Sequence, residues 1–307
     1  MLKKKTFWLA CARAAAPALF FVLLLHLAFP NPLAVSAAGA TIEVTSVVDV
    51  LADDGDCTLR EAIQAANLDE AVGGCPAGAG ADTIVLPAGV YTLSRAGTYE
   101  DANQTGDLDI LAGLTILGAG QDITTVDGGQ IDRVFHILLP GTRVQMEALS
   151  ITGGAAPEED ELGGGGVLSW GNLTLTAMKF TANSGARGGG ARNSEGYLLV
   201  NDSLFTQNDA FFEGGGLYSD GEMTVHNTLV TANTSPRGAG VSSDNRLYMT
   251  DVTLSANIAE NGDGGGLYND FDAWLDRVTF LDNQALHGGG IYNNQVLWLT
   301  NITFSGN

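Results

Sequence analysis

A glycine triplet recurs along the second half of this chain at near-constant spacing, and that recurrence restricts the fold more than any other feature. Triplets of Gly-Gly-Gly, or Gly-Ala-Gly in one copy, begin at Gly164, Gly188, Gly214, Gly238, Gly264 and Gly288, at intervals of 24, 26, 24, 26 and 24 residues. A second marker, an apolar residue with Asn three positions later, keeps the same register at Phe180/Asn183, Phe205/Asn208, Val230/Asn233, Leu254/Asn257, Phe280/Asn283 and Phe304/Asn307. Positions two, five and seven before the marker are mostly apolar, as in Met178, Leu175 and Leu173, or Val252, Met249 and Leu247. Alternation, a two-residue polar interruption and renewed alternation describe two short strands meeting at a corner with their apolar side chains on one side. No copy sustains a 3.6-residue period between its glycines, and about 25 residues leave no room for a crossover helix. The spacing predicts an all-β chain in which each copy of 24–26 residues is one coil of a parallel β-solenoid, with coils stacked at ~4.8 Å. The Asn residues are expected to form a side-chain ladder at a tight turn and to take its left-handed backbone. The glycines should supply positive φ and let one coil lie close on the next.

Less regular coils over 82–93, 108–120 and 148–154 place the start of the solenoid near Asp82, so that it spans 82–307. An open first coil would expose unpaired strand edges. The segment 41–81 fits as their cover: a strand over 41–48, then a helix that ends near Asn67. Its start is marked by the capping box Thr58-Leu59-Arg60-Glu61, and Leu59, Ala62, Ile63 and Ala66 form its apolar stripe. The final coil is as regular as its predecessors and leaves Ile302 and Phe304 uncovered. This predicts a chain truncated at its C-terminus, or an end closed by end-to-end self-association.

Residues 1–38 have the order of a secretory signal peptide: Lys3, Lys4, Lys5 and Arg13, an apolar run over 16–29, Pro30 and Pro32, then small residues over 34–40. The run falls short of the ~20 residues a membrane span needs. Export is predicted, with a mature chain that does not span the membrane and resides at the cell surface, on the outer membrane or outside the cell. Removal of the signal takes away Cys11 and leaves Cys57 and Cys75. An even pair in an exported chain is expected to form a disulfide, since two thiols are only half of a tetrahedral zinc shell. The same cleavage removes four basic residues and shifts the net charge from −21 to −25, leaving Lys179 as the sole lysine. Such a surface repels nucleic acid and anionic lipid.

The stretch Asp56-Cys57-Thr58-Leu59-Arg60-Glu61-Ala62-Ile63, with Ile84-Val85-Leu86-Pro87-Ala88-Gly89-Val90-Tyr91 and the Leu-Thr-Ile-x-Gly-Ala-Gly of 114–120, resembles the bacterial CSLREA-domain proteins. The repeats over 164–307 are similar to those of chlamydial polymorphic outer membrane proteins, which are surface adhesins. The first resemblance implies an exported right-handed parallel β-helix; the second implies adhesin-like binding, with an extracellular glycan or a surface protein as partner.

Catalytic residues are not predicted. The Gly-His-Gly and Arg-x-Lys motifs of β-helix polysaccharide hydrolases are absent, Lys179 sits beside inward Phe180 and so faces out, and His226 holds an outward corner position. His136 has no evident partner in the sequence. A polysaccharide lyase or glycoside hydrolase is the alternative to a binding or structural module. No cofactor is required, although calcium could be held by Asp53, Asp54 and Asp56, or by Glu158, Glu159, Asp160 and Glu161. An EF-hand is excluded, because setting Gly55 as the loop glycine puts Val50 and Ala52 where ligands belong; Glu61 is claimed by the helix cap. The residue before each triplet runs Arg187, Glu213, Arg237, Asp263, His287, which predicts a charge ladder across stacked coils. Length variation concentrates between each Asn and the next Gly, where loops run from four to six residues. The loop holding Phe211 and Phe212 is therefore expected to expose one or the other as a ligand contact.

Overall fold

The computed structural model describes residues 38–157 and 162–307; the expected signal segment, apart from Ala38, and residues 158–161 lie outside the described residues. The chain is a parallel β-solenoid, as the repeat predicts, and it is right-handed, as the resemblance implies. After β1 (Thr41–Glu43) and α1 (Leu59–Leu68), the first coil opens with β2 (Asp82–Leu86) and β3 (Gly89–Thr92), and β4 (Leu108–Ile110) follows. Three long parallel sheets run the length of the stack. The first, of ten strands, runs from β1 and β2 to Leu297–Thr300; the second, of eight, from β4 to Ile291–Asn293; the third, of nine, from β3 to Thr303–Ser305.

Register is what makes these coils one core. Leu173, Leu198, Met223, Leu247, Ala273 and Leu297 pair in succession along the first sheet, and Phe180, Phe205, Val230, Leu254, Phe280 and Phe304 along the third. A one-residue slip would turn every inward side chain outward. Phe180 and Phe205 are fully buried and stack with ring centroids 4.6 Å apart. Each such burial contributes about 1.5–3 kcal/mol.

Three left-handed positions recur in every full coil of the glycine repeat, with Gly196 and Asn261 as additions in two of them. One lies at the corner between the first and third sheets (Ala177, Asp202, Asn227, Asp251, Arg277, Asn301), one is the first glycine of the triplet, and one immediately precedes the ladder Asn (Ala182, Gln207, Ala232, Ala256, Asp282). The last set corrects the expectation that the Asn itself adopts this conformation. The Asn is instead pulled inside: Asn183, Asn208, Asn233, Asn257 and Asn283 are each at most 1% exposed. Each Nδ2 donates to the Oδ1 of the Asn one coil on, at 2.8–3.0 Å, and to a carbonyl of the coil before, such as Phe180 from Asn208. Satisfying a buried amide fully is worth more to the fold than the turn geometry an Asn could tolerate. The third glycine of a triplet is needed for close approach: a Cβ on Gly190 would stand 2.5 Å from the Gly216 carbonyl oxygen and 2.9 Å from Phe205 Cδ1.

The cap covers the open end in two ways. β1 pairs with β2 and closes the first sheet. It is shorter than the predicted strand over 41–48, because after Val44 the amides of Thr45 and Ser46 turn to the Cys57 carbonyl. The helix is held by the predicted capping box, with Thr58 and Glu61 in reciprocal contact. It ends with Asn67 standing in for a missing strand, its Nδ2 donating to the Asp109 carbonyl (2.7 Å) and its Oδ1 accepting from the Leu111 amide (2.8 Å). Cys57 and Cys75 form a disulfide across 18 residues, as parity required.

Candidate functional site

Loop lengths set the relief of one side of the solenoid. Residues 234–237 form a four-residue loop between the five of Asp209–Glu213 and the six of Ile258–Asp263. Bridges from Asp209 to Thr234 and from Thr234 to Ile258 make the three loops neighbours, so the short one becomes the floor of a trough. Two clefts of about 460 and 480 Å³ share Phe211, Pro236 and Asn261 among their lining residues.

A β-bulge places the aromatic pair at the rim. Gly185 pairs with Ala210 and Arg187 with Glu213, so Phe211 and Phe212 stand opposite the single residue Ala186. An extra residue in one strand redirects the side chains beside it. Phe211 is 55% and Phe212 38% exposed, so they do not fold down over the coil. The rings meet edge to face at 4.8 Å, and the Arg187 guanidinium lies 5.4 Å from the Phe212 centroid. Other aromatics on the outer surface differ. Tyr248, Trp274 and Trp298 stack in parallel at 4.8 and 4.5 Å along the outer face of the first sheet, so their ring faces cover one another.

The charge ladder is in register: Arg187 pairs with Glu213, Glu213 with Arg237, Arg237 with Asp263 and Asp263 with His287. Arg237 Nη1 is 3.1 Å from Glu213 Oε1, and His287 Nδ1 is 2.8 Å from Asp263 Oδ1. Burial raises the Glu213 carboxyl and Asp244 adds to the effect, while Arg237 and Arg187 oppose it. Its carboxylate thus meets the Arg237 guanidinium at the edge of the trough, with Arg187 paired to Glu213 from the coil before.

The remaining candidates fall elsewhere. Lys179 is half-exposed with Nζ 3.8 Å from Asp122, and His226 sits at the corner, in register with Asn201 and Thr250. Asp53, Asp54 and Asp56 are exposed. Both Glu61 oxygens are engaged, by the Ala52 and Thr58 amides at 2.7 and 3.0 Å. Asp53, Asp54 and Asp56 are not among the ligand-bearing side chains that converge in threes within the described residues. Glu158, Glu159, Asp160 and Glu161 lie outside those residues.

His136 is the correction. It has two neighbours: its Nδ1 lies 3.6 Å from Asp109 Oδ1 and 3.7 Å from Asp101 Oδ1. Asp109 and His136 are partners in adjacent strands of the second sheet. The signal was present in the sequence, since Leu108-Asp109-Ile110 and Phe135-His136-Ile137 share one apolar-polar-apolar pattern about one coil apart. Asp101, in contrast, is brought in by an irregular loop that periodicity does not describe. Burial raises the Asp109 carboxyl, with His136 and the Asn103 amide opposing.

Comparison of the chain with protein-family models, with curated proteins and with solved structures finds no match.

Proposed function

We propose that this chain is an exported, non-catalytic binding module whose trough at Phe211 and Phe212 takes an extracellular glycan. The observation that carries the reading is the exposed, bulge-set aromatic pair at the rim of two contiguous clefts. A sugar ring offers an apolar face for an aromatic side chain and a girdle of hydroxyls for planar polar groups. Phe211 supplies the first; Glu213, Arg237 and Asn261 line the same cleft and supply the second. The floor and walls are loops on a rigid sheet scaffold, so little is lost in ordering them on binding. A net charge of −21 for the whole chain disfavours polyanionic glycans and favours neutral or basic ones. The resemblance of the repeats to surface adhesins agrees with this reading.

The test is retention of the mature chain on a panel of immobilised neutral, basic and acidic glycans, with the supernatant assayed for released oligosaccharide. Retention that the double substitution Phe211→Ala/Phe212→Ala reduces at least ~tenfold, with no product, is expected. Release of product would make the chain a hydrolase or lyase, and retention on a protein target alone would move the partner to another class.

A further inference from the structure

We infer that Asp101, Asp109 and His136 form a binding site for a first-row divalent transition-metal ion, Zn²⁺ most readily. The three ligand atoms lie within 4.8 Å of one another. His136 Nδ1 is almost equidistant, at 3.6 and 3.7 Å, from one oxygen of each carboxylate. These separations are too long for hydrogen bonds. The His287–Asp263 pair of this same chain, at 2.8 Å, shows how an imidazole meets a carboxylate when the two simply bond. They are close instead to the edges of a tetrahedron with metal–ligand bonds of ~2.0–2.1 Å, about 3.3 Å.

Asp109 gives the independent indication. It is fully buried, its Oδ2 accepts from the Asn103 amide at 2.8 Å, and its Oδ1, the oxygen that faces His136, has no hydrogen-bond partner among the described residues. An ionised oxygen buried without a donor is costly unless a cation completes it. The neighbouring cation does not: Arg133 is spent on Asp107, with Nε 2.9 Å from Oδ2. Coordination through Nδ1 would also fix the tautomer of His136, leaving the proton on Nε2.

One imidazole nitrogen with two carboxylate oxygens suits Zn²⁺ and its first-row neighbours, whereas Ca²⁺ seeks six to eight oxygens. The side chain of Asp101 is largely exposed, and a cavity of about 230 Å³ adjoins the site, lined by Tyr99, Asp101 and His136 among others. The ion therefore has an entry path and room for water or a ligand oxygen at an open position.

The experiment is titration of tag-free, metal-stripped mature protein with Zn²⁺ by calorimetry and with Co²⁺ by visible absorption. One-to-one binding is expected, with a low-symmetry Co²⁺ band, a higher melting temperature with Zn²⁺, and no displacement by excess Ca²⁺. Asp101→Asn, at an exposed side chain, and His136→Gln should each weaken binding at least ~tenfold, and His287→Gln should leave it unchanged. Absence of saturable one-to-one binding, or equal binding by the Asp101→Asn and His136→Gln variants and the parent chain, would overturn the assignment.

Discussion

Arg60 of the cap helix and Asp49 form a buried two-point ion pair, Nε to Oδ1 at 2.6 Å and Nη2 to Oδ2 at 3.2 Å. The guanidinium also donates to the Gly106 and Asp107 carbonyls at 2.8 and 2.9 Å, so one side chain joins the cap to the segment entering β4. Arg60→Ala strands a buried carboxylate and two carbonyls. A loss of about 3–5 kcal/mol is expected, to be read by denaturant unfolding.

The same pair sets an acid limit. Burial raises the Asp49 carboxyl, but the Arg60 contact and the Ser94 and Arg95 amides outweigh it, and the net shift is downward. A depressed carboxyl stabilises above its unfolded value of ~3.9, and that contribution is lost as pH falls through the folded value. Melting curves taken downward from about pH 5 should therefore show cap unfolding that Asp49→Asn advances to neutral pH and renders less pH-dependent.

Asn233 in mid-ladder accepts from the Asn208 amide and Nδ2, both at 3.0 Å, and donates to the Phe205 carbonyl and Asn257 Oδ1, also at 3.0 Å. Asn233→Ala leaves the Asn208 donors and the Phe205 acceptor without that partner in a buried interior. A cost of about 2–4 kcal/mol is expected, with hydrogen exchange rising in the coils on either side. An exchange map unchanged from the parent would contradict the account.

Paired Cys57→Ser and Cys75→Ser substitutions should cost ~3 kcal/mol by releasing the loop between them. The effect should stay in the cap, whose Thr45 and Ser46 amides rest on the Cys57 carbonyl. Limited proteolysis would then cut within residues 45–80 and leave the repeat coils whole.

Inward residues, corners and ladder were legible because each follows from a local rule that the repeat states six times, and the cap helix because the Thr58–Glu61 capping box and its apolar stripe mark it once. The position of the left-handed residue was not: Asn and its predecessor are both compatible with the turn, and only the burial of Asn183 and its successors decides between them. The trough was legible in part. Loop lengths located it, but the bulge opposite Ala186 that directs Phe211 and Phe212 outward depends on pairing between coils. Asp101 was invisible because its approach to His136 is set by an irregular loop rather than by periodicity.

The asparagine row also has a direction. Along the chain of Asn side-chain amides, every Nδ2 donates one hydrogen from the earlier coil to the Oδ1 of the later, so the amide dipoles align head to tail and each polarises the next. An incoming coil on the C-terminal side meets an amide proton; one on the N-terminal side would meet a carbonyl oxygen. A coil docked one residue out of step would offer Ala182, Ala232 or Ala256 in place of the amide and interrupt the polarised chain. The interior of this solenoid is therefore vectorial, and each coil reads the alignment of its neighbour through a single side chain.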